Sequence, residues 1–150
     1  MFVLNFMVAL VLFQTPAPAK TVVVVGLTGG QQLAIDNPQF SGFIETRDPG
    51  EPVLVYRQKQ FHGEMKLSAI RRIDVNYQKG KPFQLDVTLK NGNKLSVEAA
   101  GREFVIVKGT TDTGTVIIKH PDPISSRVRI STKKANRAND LTIQYLEFPQ

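Results

Sequence analysis

Cysteine and tryptophan are both absent from this 150-residue chain, and histidine occurs only twice. Without cysteine there is no disulfide, no thiolate nucleophile, no Cys-ligated zinc or iron–sulfur cluster, and no lipid anchor on Cys. Two histidines are too few for most metal or triad sites, and nothing in the sequence calls for a cofactor. Charge is missing from one region: every Lys, Arg, Asp and Glu lies at or after Lys20. After that point no apolar run approaches the 18 residues of a membrane-spanning helix. Nor does any window of eleven or more residues combine a 3.6 period with freedom from Gly and Pro. What remains is a chain of one-domain size, 41% hydrophobic, 21% charged and +6 overall, the balance of a globular protein.

Phe2 to Phe13 is apolar except for Asn5. As a helix it would rise about 18 Å, short of the hydrocarbon core of roughly 30 Å. Ala17 and Ala19 make a small-x-small site just before Lys20. Length, apolarity and this site together predict a signal peptide, residues 1–19, cleaved after Ala19, although the n-region carries no Lys or Arg. The expectation is a secreted or periplasmic bacterial protein, with residues 20–150 as one β-domain and no transmembrane segment in the mature chain. An exported domain without cysteine fits a bacterial envelope better than a small eukaryotic secreted module, which usually relies on disulfides.

The mature chain reads as strands. Phe83, Leu85, Val87 and Leu89 alternate with polar residues, then Asn91-Gly92 intervenes, and Leu95 and Val97 resume the period of two. Alternation around Asn-Gly predicts a hairpin with one buried face, the two turn residues supplying the positive φ angles a tight turn demands. Thr21 to Leu27, with four successive Val, suits a buried strand. Phe40 to Glu45, Val53 to Arg57, Glu64 to Leu67, Ile70 to Asn76, Phe104 to Lys108, Thr115 to Lys119, Arg127 to Ser131 and Leu141 to Phe148 complete the set. About ten short strands separated by turn residues predict an all-β fold, an antiparallel β-sandwich or small barrel. The leader, a glycine-led strand, the "LKNG" hairpin and the later "KGTTDTG" resemble small exported all-β modules of bacterial proteins. That resemblance covers residues 60 to 131 and implies no activity.

Several constellations invite chemistry. "VVVVGLTGG" (Val22 to Gly30) lacks the G-x-G-x-x-G spacing and the following helix of a dinucleotide site, so it reads as a strand ending in a turn. No Gly-x-Ser-x-Gly or Ser-x-x-Lys marks a serine nucleophile. Partners for Glu45, Asp74, Asp86 or Glu98 could meet across strands, but the sequence favours no pair. Tyr145 and Phe148 are expected to close the core. His120-Pro121-Asp122-Pro123 reads first as a rigid turn, and as the seed of a metal-assisted hydrolase site only if His62 and further carboxylates converge on it.

The functional lead is basic. Arg127, Arg129, Lys133, Lys134 and Arg137 occur within eleven residues without an acid, and Arg71 and Arg72 would add to them if the fold brought them near. Such a surface attracts an anionic glycan, a lipid headgroup or a protein partner. Nucleic acid is disfavoured, because export removes it and no aromatics interleave the charges. The reading is therefore an exported, non-catalytic β-module that binds an anionic envelope component or a protein partner. The alternatives are the His120/Asp122 hydrolase and a β-barrel carrier of an apolar ligand.

Overall fold

The computed structural model describes residues 21–76, 81–100, 102, 104–120 and 143–149. Among them are eleven strands, one turn of 3-10 helix and no α-helix. The strands are β1 Val22–Leu27, β2 Gln32–Gly42, β3 Ile44–Glu45, β4 Val53–Gln58, β5 Phe61–Lys66 and β6 Ile70–Asn76. They continue as β7 Gln84–Leu89, β8 Lys94–Ala99, β9 Val105–Thr111, β10 Gly114–His120 and β11 Ile143–Glu147. All pairings are antiparallel, in the order β10-β9-β2-β1-β11-β6-β7-β8-β4-β3, with β5 on β4. The fold is thus all-β, a curved antiparallel half-barrel sheet. The predicted leader and the segment from Arg127 to Ser131 lie outside the described residues.

The alternation of β7 and β8 does what its period requires. Leu85, Val87 and Val97 are buried, while Gln84, Asp86 and Ser96 face out. The turn differs from expectation. Asn91 keeps a negative φ and only Gly92 is positive, at 89°. The Gly92 amide donates to the Leu89 carbonyl (3.0 Å) and the Leu89 amide to the Asn93 carbonyl (2.8 Å), giving a three-residue loop. A type I turn closed by a left-handed glycine makes this geometry, and the Asn91 side chain supports it by accepting from the Asn93 amide at 2.9 Å.

β2 is longer than its sequence suggests. Eleven residues pair, first with β1 and then with β9, across a register shift between Asp36 and Gln39. Asn37 sits there with φ 47°, and Pro38 follows it. A proline, having no amide hydrogen, is tolerated in a bulge where no ladder bond is due. The interruption therefore bends the strand and does not end it. At its far end Gly42 takes φ 110°, and an added Cβ would lie 1.9 Å from the Phe104 carbonyl oxygen, so only glycine fits this corner. Phe43 alone separates β2 from β3; its amide donates to Phe104 (2.9 Å) and its carbonyl accepts from Val55 (2.8 Å).

The concave face carries the core. Val23, Val25, Ile35, Phe43, Leu54, Ile70, Ile73, Phe83, Leu85, Val105, Ile118, Ile143 and Leu146 are all essentially excluded from solvent. Each such side chain contributes about 1.5–3 kcal/mol relative to exposure. Phe43 and Phe83 pack ring on ring at 5.8 Å.

Candidate functional site

The convex face holds a register row that crosses six strands. Gln32 (β2) lies opposite Gly26 (β1), Gly26 opposite Tyr145 (β11), Tyr145 opposite Asp74 (β6), Asp74 opposite Asp86 (β7), and Asp86 opposite Ser96 (β8). Because side chains alternate along a strand, register alone brings these groups to one face.

Tyr145 is half-buried on this outer face and does not close the core as expected. Its ring lies over Gly26, where an added Cβ would meet it at 2.1 Å, and its hydroxyl accepts from Gln32 Nε2. The Arg72 guanidinium stacks on the ring 3.8 Å from the centroid. From there Arg72 Nη2 reaches Asp74 Oδ1 at 2.9 Å, and Nη1 reaches Glu147 at 3.4 Å. The Asp74 hydrogen bond, followed by the nearby negative charges, holds the guanidinium above its ordinary pKa against the opposing effect of burial.

Asp74 and Asp86 are a carboxylate pair of the kind the sequence left open. Directly opposed like charges are destabilising unless each is compensated. Asp74 has Arg72; Asp86 accepts from Asn76 Nδ2 at 2.9 Å and from Ser96 Oγ. With Thr88 and Lys94 they line an open depression of about 350 Å³. Further along the sheet, Arg57 Nε donates to Glu98 at 2.9 Å, and this bond lowers the Glu98 pKa, with Gln84 adding a smaller effect. Arg47 does the same for Glu64 through a two-nitrogen contact. The carboxylates of Asp74, Asp86, Glu98 and Glu64 are each already engaged by a donor.

His120 ends β10 in the core, 2% exposed. Its Nδ1 accepts from the Ile143 amide at 3.2 Å, and its ring packs on Phe83 at 5.5 Å between centroids. Desolvation pushes its pKa down to about 4, so it is a neutral imidazole at pH 7. Its sequence neighbour Asp122 lies outside the described residues. His62 stands exposed on β5, opposite Arg57. Among the described residues no three His, Asp or Glu side chains gather as metal ligands.

Arg127, Arg129, Lys133, Lys134 and Arg137 lie outside the described residues. Arg71 and Arg72 are described, and the fold separates their tasks. β6 shifts register between Ile70 and Arg72, leaving Arg71 as the extra residue of a bulge. Arg72 is held in the ion pairs above, whereas Arg71 is exposed beside Lys90. Sequence reasoning missed this site because the bulge appears only once β6 is aligned on β7. Among the described residues no helix is long and apolar enough to cross a membrane. Compared with known proteins, the chain matches no family model, no curated protein and no solved structure.

Proposed function

We propose that the chain is an exported, non-catalytic β-module whose ligand is an anionic envelope component, held through the basic segment from Arg127 to Arg137. The observation that carries this reading is the division of charge. The described residues contain twelve Lys and Arg against ten Asp and Glu, and six of those acids are tied to bases in ion pairs. Between residues 127 and 137, by contrast, five bases occur with no acid. The excess charge therefore belongs to one short stretch and not to a uniformly basic surface. Concentrated charge attracts an anionic partner and raises its association rate.

Two further observations favour binding over catalysis or carriage. His120 is buried and committed through Nδ1 to the Ile143 amide, which suits a structural role better than proton transfer. The concave face is filled by side chains, as in a small barrel whose interior is packed. The continuity of β2 with β3 through Phe43, joining the far end of the strand order back to β2, favours a partly open barrel over a sandwich.

The test is elution from an anionic matrix across a salt series. Wild type is expected to elute later than an Arg129→Glu, Lys133→Glu, Lys134→Glu variant, with the difference shrinking as salt rises. Equal elution at low salt would refute the reading.

A further inference from the structure

On the described sheet a second open depression of about 390 Å³ is lined by Arg71, Lys90, Glu147, Phe148 and Pro149. Its frame is set by backbone bonds. The Phe148 amide donates to the Arg71 carbonyl at 2.9 Å, and the Lys90 amide donates to the Ala69 carbonyl at 3.0 Å. These bonds bring together the β6 bulge, the β7–β8 turn and the last described residues of the chain. A bulge turns its extra residue out of the pleat, which gives Arg71 an orientation that a regular strand would not.

The charge in this depression is unequally committed. Its one carboxylate, Glu147, is bridged at 3.4 Å by Arg72, which is not among the lining residues. Arg71 and Lys90 form no ion pair within the described residues, so two cations face the same opening. The floor is different in kind. Phe148 is half-buried and packs edge-to-face on Phe40 at 6.2 Å, which holds the ring in place, and Pro149 extends the apolar surface.

We propose that this depression binds an acidic sugar unit of a glycan, its carboxylate lying between Arg71 and Lys90 and its C–H face on Phe148 and Pro149. Arginine matches a planar carboxylate with two parallel hydrogen bonds, and lysine adds a point charge. A bare inorganic anion has no use for the apolar floor. A sugar ring uses both halves, and the volume admits a monosaccharide unit. The assignment stands on residues separate from Arg127 to Arg137, so it survives or fails independently of the reading above, while specifying the ligand class.

The experiment is an NMR titration of the isotope-labelled full chain with a uronic acid trisaccharide, with sodium sulfate and phosphatidylglycerol vesicles as parallel probes. The trisaccharide is expected to shift the Arg71, Lys90 and Phe148 amides. An Arg71→Gln, Lys90→Gln variant should bind it at least about tenfold more weakly, as loss of charge-assisted hydrogen bonds implies. The Arg129→Glu, Lys133→Glu, Lys134→Glu variant should retain these shifts. Both substitutions in the first variant are at exposed side chains, and an unchanged wild-type spectrum elsewhere verifies its fold. Undiminished trisaccharide binding by that variant overturns the proposal. So does a response of the same amides to sulfate as strong as to the trisaccharide, or to vesicles in preference to it.

Discussion

His120 should make this fold acid-sensitive well above the pH at which carboxylates protonate. Its folded-state pKa is about 4, against an ordinary 6.5, because burial disfavours the imidazolium. The unfolded chain therefore takes up a proton that the folded chain refuses. Stability from this group is fully present above pH 6.5 and is lost as pH falls toward 4. The whole difference is roughly 3 kcal/mol at 1.36 kcal/mol per unit, and about 2 kcal/mol of it is gone by pH 5. Glu51, Glu64 and Glu98, whose pKa values are lowered by their hydrogen bonds, act in the same direction but mainly below pH 4.5. The window from pH 7 to 5 thus isolates the histidine. The assay is urea unfolding of wild type and His120→Gln at both pH values. The variant, having no group to protonate, should be less stable than wild type at pH 7 but lose about 2 kcal/mol less on acidification. Equal losses by the two proteins would refute the argument that burial, and not another group, sets this dependence.

Two glycine contacts lend themselves to similar treatment. Gly26→Ala would press a methyl group into the Tyr145 ring and displace it from Arg72, lowering stability by about 1–3 kcal/mol in urea unfolding. In a Tyr145→Ala background the same substitution should be close to neutral, since the opposing ring is gone. Gly42→Ala meets backbone, which cannot swing aside, and is expected to cost about 3 kcal/mol or more in thermal or urea melts. Gly92→Ala has a similar positive φ but open space around it, so its cost should stay near about 1 kcal/mol.

Strand identity was legible wherever alternation was strong. β6 runs from Ile70 to Asn76 as the spacing predicts, and β7 and β8 flank Asn91-Gly92 with Leu85, Val87 and Val97 inward. The run of four Val became β1, and the following glycines became a turn. Where two periods collide, the signal failed. The strand expected from Phe40 begins at Gln32, and its first half was missed because the bulge at Asn37-Pro38 shifts the alternation by one residue. Tyr145 was misassigned because an amphipathic ring fits either face, and its place over Gly26 depends on which strand lies beside β11.

The amino-acid sequence by itself determined the class of the fold and the sites it excludes: no cysteine chemistry, short strands, and five bases together between residues 127 and 137. Those properties are local, being carried by composition and by a period of two. Tertiary structure alone decided that Asp74 meets Asp86, that Arg71 escapes the ion pairs which hold Arg72, and that His120 is buried against Phe83. The register of β6 on β7 decides the first two, and the third needs the end of β10 to pack against the residue that precedes β7. Register is settled by burying one whole face of the sheet together, and a one-residue slip would turn every side chain of a strand to the opposite face.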